Sequence, residues 1–248
     1  MSLKLKKLVL VLVCYLLLLA GNAPAGVVRV FMPADIKAGR FSGSLWQGRV
    51  YQLTWRNVTI EDVHWQLTFS SWRPAIKVAL RDPRGLQGTG TLRGWHDLEW
   101  YEWQLSAPAD FVRQQLSLAL AMTLKGGLQL QLHQGEFTSH GCQRLGGVIK
   151  WRQAQMATPL GDLDLTDVDG ELSCNGKGEL ALVLKQDSPH LNIEGRGVVG
   201  AGGGYRFNGL VRSGPMLPEA MKPLIAKVGR ANERGQIAWQ TQGQLFDP

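Results

Sequence analysis

Apolar and polar side chains alternate along most of the chain after Arg49, with a period of two residues. This is the spacing at which the side chains of a β-strand face one side of a sheet. The alternation is cleanest from Leu128 to Leu132, where glutamines lie between leucines. Similar runs contain Tyr51, Leu53 and Trp55; Val63, Trp65, Leu67 and Phe69; Ile76, Val78 and Leu80; Leu180, Leu182 and Leu184; Leu191 and Ile193; and Ile237 and Trp239. The pattern predicts a mainly β fold whose strands have one apolar and one polar face.

Turn signals separate these runs at the spacing of an antiparallel meander. They are Asn57, Asp82-Pro83, Gly126-Gly127, Asp169-Gly170 and Asn175-Gly176. Two segments depart from the alternation and predict short helices that cover part of the sheet. One runs from Pro108 to Leu116, and the other has Met221, Leu224, Ile225 and Val228 at helical spacing before Gly229. No Pro- or Ser-rich linker divides this region, so we predict one domain over residues 31–248.

Residues 1–30 form a separate N-terminal segment. Three lysines among the first seven residues precede Leu8–Gly21, an apolar run of 14 residues. As a helix this run would be about 21 Å long, whereas the hydrocarbon core of a bilayer is about 30 Å thick. Continuation of the helix to Val28 would give a full membrane anchor, whereas Ala23-Pro24-Ala25 has the small residues of a cleaved signal peptide. Either interpretation places the domain beyond the inner membrane of a bacterial-type cell.

Charge and composition argue against nucleic-acid binding and support a fold of many short strands. The formal net charge is +7, but much of it comes from the N-terminal lysines, and no long run of like charge follows them. We therefore expect no nucleic-acid binding. Thirty glycines and a charged fraction of 19% suit many short strands joined by tight turns.

Two of the three cysteines lie in the predicted exported domain. Cys14 is inside the apolar run, which leaves Cys142 and Cys174 as an even pair. We predict a disulfide between them, and this bond requires an oxidising compartment such as the periplasm. Two buried free thiols are the alternative.

The candidate motifs for catalysis and cofactor binding all have simpler interpretations. Gly195, Gly197 and Gly200 have the spacing of a dinucleotide fingerprint, but strand-forming residues follow them, which favours a hairpin. The acidic run Asp162, Asp164, Asp167 and Asp169 fails the calcium-loop pattern and favours a solvated strand and turn. The five histidines are dispersed, and the hydrolase, metalloprotease and P-loop motifs are missing from the sequence. We predict no catalytic residues, no metal and no cofactor.

Tryptophan is concentrated in the first half of the chain. Core packing explains this most simply, since the indole ring suits a half-buried strand face. The functional alternative is an apolar groove that binds a partner or an acyl chain. Its candidate residues are Trp55, Trp65, Trp72, Trp100 and Trp103.

One short segment carries a family resemblance. It reads Ser42-Gly43-Ser44-Leu45-Trp46-Gln47-Gly48, with glycine turns on both sides of an aromatic residue. In this segment the chain resembles the N protein family of the bacterial type II secretion system. The run from Val63 to Leu67, the Leu145–Gly147 segment after Cys142 and the Gly170–Cys174 segment also fit, in the same order. The partner-binding candidates are Ser42, Gly43, Leu45, Trp46, Gln47 and Gly48.

The resemblance implies a single-pass accessory component of the inner membrane with its C-terminal domain in the periplasm. It favours a retained anchor from about Leu8 to Val28. It also implies kinship with AsmA-like proteins, and hence a curved antiparallel sheet that forms a groove. The expected role is scaffolding or assembly beside other inner-membrane platform components during protein export across the outer membrane, without catalysis. The alternative is a periplasmic protein that binds a lipid or another hydrophobic ligand.

Overall fold

The computed structural model describes residues 3–33, 35–55, 58–70, 72–94, 98–115, 122–138 and 140–244. These residues form two compact units that divide between Arg81 and Asp82. Most elements in both units are β-strands, and the strands that pair within each unit are antiparallel. The predicted mainly β fold, built as an antiparallel meander, is therefore confirmed. The predicted domain limits stay a prediction, because compactness alone does not measure independent folding.

The first unit contains one α-helix, one 3₁₀ helix and five strands. They are α1 (Leu3–Gly21), the 3₁₀ helix (Ala25–Phe31), β1 (Ile36–Ala38), β2 (Phe41–Gly43), β3 (Gln47–Trp55), β4 (Val58–Ser70) and β5 (Arg73–Arg81). Strand β3 pairs with β1, β2 and β4, and β4 pairs with β5. Val50 on β3 lies opposite Val63 on β4, and both side chains are buried. This pair marks the apolar face of the first sheet.

Helix α1 ends at Gly21, so the predicted continuous helix to Val28 is wrong. The backbone N–H and the side-chain amide of Asn22 both donate to the carbonyl of Leu18, at 3.1 and 2.8 Å, and close the last turn. Pro24 then has an extended ψ of 149°, and the chain re-forms as a separate 3₁₀ helix. Among the residues that the structure describes, no helix has both the length and the apolar character needed to cross a membrane.

The second unit contains nine strands, two short α-helices and a 3₁₀ turn. They are β6 (Gln87–Arg93), β7 (Leu98–Pro108), α2 (Ala109–Gln115), β8 (Thr123–Thr138), β9 (Gly141–Thr158), β10 (Gly161–Cys174), β11 (Leu180–Asp187), β12 (Leu191–Val199), β13 (Gly204–Ser213), the 3₁₀ turn (Glu219–Met221), α3 (Lys222–Val228) and β14 (Ile237–Gln244). These strands follow chain order across the sheet. Both predicted helices are present, as α2 and α3.

The core of the second unit lies between strand β10 and the segment that leads into α3. Leu163, Leu165 and Val168 of β10 pack with Leu217 and Met221, and all five are buried. A register shift at Thr166, whose φ is +57°, turns Val168 onto the face that Leu163 and Leu165 occupy. The segment therefore covers one face of this sheet, as expected for a helix over an apolar strand surface.

Some of the predicted turns are interruptions within strands. Asp82-Pro83 and Asn175-Gly176 do lie in turns. The turn predicted at Gly126-Gly127 is wrong, because these residues form a bulge within β8 where Gly126 has a φ of +93°. The turn predicted at Asp169-Gly170 is also wrong, because both residues pair with neighbouring strands in β10. Asn57 lies outside the described residues.

Several strand glycines lie beneath a large side chain of the adjacent strand. A Cβ at Gly90 would overlap the indole of Trp103, and a Cβ at Gly195 would overlap the ring of Phe207. Gly195 and Gly197 belong to the hairpin of β12 and β13, which confirms the hairpin interpretation of this segment. Asp162 to Asp169 lie in strand β10, so the strand predicted for these residues is confirmed, whereas the turn predicted to end it is not.

Candidate functional site

The segment Ser42–Gly48 forms a tight turn between β2 and β3. The backbone N–H of Ser44 donates to the carbonyl of Gln47 at 2.9 Å, and the N–H of Gln47 donates to Ser44 Oγ at 3.2 Å. Gly43 has a φ of +87°, and a Cβ there would lie 2.6 Å from the Gln47 carbonyl oxygen. Glycine is therefore required at this position.

This turn is bonded to the C-terminal end of α1. The indole N–H of Trp46 donates to the carbonyl of Ala20 at 2.8 Å, and the N–H of Leu45 donates to the carbonyl of Ala23 at 2.8 Å. Pro24 forms an antiparallel bridge with Ser44. The last carbonyls of a helix lack partners within the helix, so an indole N–H is a suitable cap. We call residues 20–25 together with residues 44–48 the collar.

Trp65 on β4 supports the collar from beneath. Its indole lies against Gly48, where an added Cβ would overlap the ring, and its N–H donates to the carbonyl of Leu45 at 3.0 Å. The N–H of Leu67 donates to the carbonyl of Trp46 at 2.7 Å, which joins the turn directly to β4. The collar therefore fixes the end of α1 to two strands of the first sheet.

Arg29 holds the 3₁₀ helix to the same sheet. Its guanidinium donates to the carbonyls of Ala38 and Gly39, at 3.1 and 2.8 Å. Its Cζ atom also lies 5.3 Å from the ring centroid of Phe41, within the range of a cation–π contact. The segment between α1 and β1 is thus bonded to the first sheet both at the collar and at Arg29.

A charged network lies on the opposite, polar face of the first sheet. Asp62 sits between Arg49 Nε, at 3.5 Å, and His64 Nε2, at 3.3 Å. Arg49 also donates to the hydroxyl of Tyr51 at 3.0 Å, and this bond, with a smaller contribution from Asp62, raises the pKa of Arg49 above its ordinary value. The network is half exposed, which suits a polar contact surface better than a water-excluding catalytic site.

Three of the predicted groove tryptophans belong to the first unit and have different surroundings. Trp65 is part of the collar support, as described. Trp55 lies at the far end of β3, where its indole donates to Asp35 Oδ2 at 2.9 Å. Trp72 lies at the β4–β5 hairpin and is fully exposed.

Trp100 and Trp103, in the second unit, do meet. Their ring centroids lie 5.1 Å apart, because a bulge at Glu102 puts residues three apart on one face of β7. Trp103 is buried over Gly90, so its surface is used in packing.

An apolar pocket in the second unit has no counterpart among the residues chosen from the sequence. It has a volume of about 380 Å³ and lies under α3. Leu191, Ile225 and Trp239 are among its lining residues, whereas the tryptophans predicted to form a groove are elsewhere.

The cysteine pair joins the start of strand β9 to the end of strand β10 in the second unit. Cys142 and Cys174 are joined by a disulfide with Cα atoms 5.5 Å apart, and Cys142 is buried. The bond closes the hairpin formed by β9 and β10 near its open end. Cys14 in α1 is an exposed free thiol. Within the described ranges, His, Cys, Asp and Glu side chains form no cluster of three or more that could hold a metal ion.

Comparison with known proteins gives the family. The family model described as "Type II secretion system (T2SS), protein N" matches residues 34–240. The chain belongs to this family. It is 39% identical over 239 residues to the type II secretion system protein N of Pectobacterium carotovorum subsp. carotovorum, covering 96% of each chain. It is 36% identical to the protein of the same name from Klebsiella pneumoniae, over 93% of this chain and 92% of the relative. No solved structure matches.

The matched range contains only one of the two segments that form the collar. It includes Ser42–Gly48, Trp65 and both bonded cysteines, whereas Ala20 and Ala23 of the collar precede it. Sequence reasoning missed Ala20 and Ala23 as members of the site, and it assigned Trp65 to an apolar groove instead of to the support of the collar. One sequence contains no signal that pairs position 46 with position 20, because that contact depends on where α1 ends.

Proposed function

We propose that this member of the type II secretion system protein N family is a structural, non-catalytic component of the secretion machine, held at the inner membrane by α1. The observation that carries the proposal is the collar, in which the family motif bonds the end of an apolar helix to a β-sheet. A rigid connection of this kind fixes the position of a periplasmic sheet relative to a membrane segment. A scaffold needs such a connection, whereas a freely diffusing enzyme does not.

The surface of α1 supports a membrane location. Its side chains from Leu8 to Leu19 are largely apolar and are 45% to 66% exposed for the large residues, so the sheet does not cover them. A run of 14 apolar residues is about 21 Å long, shorter than the hydrocarbon core. The lysines at its N-terminal end would extend to the cytoplasmic headgroups, and the bilayer would thin around the helix.

The collar also favours retention of the N-terminus. Ala23 and Pro24 are bonded to residues of the turn, and Ala25 is only 1% exposed. Cleavage after Ala25 would remove the backbone partners of Ser44 and Leu45. We therefore propose that Ala23-Pro24-Ala25 remains part of the mature chain. Mass spectrometry of the native protein would then find the residues that precede Gly26 in the mature chain, whereas a mature N-terminus at Gly26 would refute retention.

The disulfide supports a periplasmic location for the second unit. A structural disulfide persists in an oxidising compartment, and the bacterial periplasm is one. With the N-terminal lysines on the cytoplasmic side, the domain after α1 lies across the membrane from them. The lipid-carrier alternative has no support from the relatives, whose names refer to secretion alone.

Its partners would be other components of the inner-membrane platform. The test is co-purification of that platform with the tagged full-length chain, together with secretion of a type II substrate. Trp46→Ala removes the bond to α1, and Trp55→Ala is a matched control, because both indoles are 44% exposed and each donates one hydrogen bond. We expect the first substitution to reduce co-purification and secretion, and the second to leave both near the wild-type level. Normal secretion after deletion of the whole chain would refute the proposal.

A further inference from the structure

The hairpin of β4 and β5 ends in exposed aromatic residues. Along the apolar face of these strands, the exposed fraction rises from 8% at Val63 to 36% at Ile76 and 80% at Phe69. Trp72, beyond the end of β4, is 101% exposed. The basic residue Arg73 follows it and is also exposed. We call Phe69, Trp72 and Arg73 the tip patch.

The tip patch lies at the same end of the first sheet as the C-terminus of α1. The turn 44–46 precedes the start of β3, and Trp46 accepts a hydrogen bond from Leu67 near the end of β4. Phe69 is two residues further along β4, about 7 Å beyond this level at the usual rise of a strand. The α1 helix joins the collar at Ala20, so the patch extends past the point at which that helix meets the sheet.

We propose that the tip patch is a second membrane contact, which inserts into the interface of the periplasmic leaflet beside α1. This inference rests on the proposed membrane location of α1. When α1 is embedded, the collar lies at the membrane surface, and side chains that extend beyond it reach the headgroups. Phenylalanine and tryptophan favour that depth because their rings are apolar, and the indole N–H bonds to interfacial groups. Arg73 complements the charge of anionic phospholipids.

The two contacts together would fix the orientation of the first sheet on the membrane. A single helix allows the attached sheet to rotate and tilt, whereas a helix and a hairpin define a plane. The charged network around Asp62 would then face a constant direction toward neighbouring components of the machine.

The test measures the depth of three positions in vesicles that contain phosphatidylglycerol. The full-length chain is reconstituted and labelled at a single cysteine with an environment-sensitive fluorophore. The labelled positions are native Cys14, Trp72→Cys and Trp55→Cys, the latter two in a Cys14→Ser background; the bonded Cys142 and Cys174 do not react. Position 55 is the matched control, because it lies at the opposite end of the same sheet.

We expect nitroxide on the lipid headgroup to quench the probe at position 72 and to leave position 55 unaffected. Nitroxide on the acyl chain should quench the probe at Cys14. If Cys14 is quenched but position 72 behaves like position 55, the second membrane contact is overturned and the membrane location of α1 stands. The tip patch would then be a contact for a protein partner. If position 72 is quenched and Cys14 is not, the membrane contact of the tip patch stands and the proposed membrane location of α1 fails. If neither is quenched, both proposals fail.

Two variants separate the chemistry of the contact from the stability of the hairpin. Phe69→Ser with Trp72→Asn removes the aromatic rings at exposed positions, and asparagine tolerates the positive φ of +63° at residue 72. This double variant should keep the wild-type melting temperature and lose the quenching of a probe at Arg73→Cys by headgroup nitroxide. Retained quenching would overturn the role of the rings. Equal quenching at position 72 in anionic and neutral vesicles would overturn the role of Arg73.

Discussion

The substitution Gly48→Ala tests the packing of the collar directly. An added Cβ would overlap Cζ2 of the Trp65 indole and would lie 2.7 Å from its Cε2 and Cη2 atoms. Ordinary carbon–carbon contact is about 3.5–4.0 Å, so the ring has to move by roughly 1 Å or more. That movement would break the 3.0 Å hydrogen bond from the Trp65 indole to the carbonyl of Leu45.

The expected cost is the sum of two effects. Overpacking of a close contact costs about 1–3 kcal/mol, and the loss of one hydrogen bond costs about 1 kcal/mol. Gly48→Ala should therefore lower the free energy of unfolding by about 2–4 kcal/mol. In a chain of this length, this corresponds to a fall of about 5–15 °C in the melting temperature.

The assay is thermal unfolding of the purified full-length chain in detergent, followed by far-ultraviolet circular dichroism. Gly146→Ala is the matched control, because Gly146 also lies in a strand and a Cβ added there would have no atom within 4 Å. That change should alter stability by less than about 1 kcal/mol. An equal fall in melting temperature for both variants would contradict this prediction, since the penalty would then belong to any strand glycine.

A second measurement assigns the penalty to the ring itself. In a Trp65→Leu background, the smaller side chain leaves space above position 48, so Gly48→Ala should cost less than in the wild type. The coupling energy for such a contacting pair is about 0.5–3 kcal/mol. Additive effects of the two substitutions would show that Gly48 is not needed to accommodate the indole.

Three further predictions concern the second unit. Reduction of the Cys142–Cys174 disulfide, which spans 32 residues, should lower the free energy of unfolding by about 3–4 kcal/mol, as measured by urea titration. Arg84→Met should cost about 2–3 kcal/mol, because it removes two hydrogen bonds of 2.8 Å from the buried carboxylate of Asp82. Asp110→Asn should destabilise the protein at neutral pH and have a diminishing effect as the pH falls through about 4, since hydrogen bonds hold the pKa of Asp110 below its ordinary value.

Each of these predictions has its own control. Cys14→Ser, at the exposed free thiol, should leave the urea midpoint unchanged, and a shift equal to that of reduction would contradict the disulfide effect. Arg144→Met breaks an exposed ion pair with Glu136 of 3.7 Å and should cost less than about 1 kcal/mol. For Asp110, the bonds come first from Arg113 and then from Gln114, so their stabilisation is present above the unfolded pKa and is lost in acid; a constant effect of Asp110→Asn across this pH range would contradict it.

The strands that the sequence predicted are those whose apolar face is made of large side chains. Alternation identified β8, β11 and β4, because each has a run of at least three alternate positions filled by leucine, valine or an aromatic residue. It failed for β6, whose inward positions are Gly88 and Gly90. Those glycines are part of the apolar face, since they lie beneath Leu105 and Trp103 of the next strand. The alternation pattern within one strand treats such glycines as turn residues, because the large side chain that covers each of them comes from the neighbouring strand.

Bulges set a second limit on what alternation predicts. A strict period of two would place Trp100 and Trp103 on opposite faces of β7, yet the rings are in contact because Glu102, with a φ of +50°, adds a residue to one strand. The same device within β10 brings Val168 into the core. A bulge at a non-glycine residue leaves no mark in the local sequence as clear as a glycine does. Which side chains share a face of these strands is therefore decided by pairing with the neighbouring strands.

The collar gives a structural role to the small residues that follow α1. Ala23-Pro24-Ala25 has the composition of a cleavage site, and composition alone does not separate that role from a structural one. In the structure, Ala25 is 1% exposed and Pro24 bridges Ser44, so the buried position 25 favours a small side chain. The fold thus favours a small residue at position 25, where a signal peptidase would also favour one. The motif Ser42–Gly48 and the stretch 23–25 are therefore two halves of one contact, and a substitution in either half should disturb the connection between α1 and the sheet in the same way.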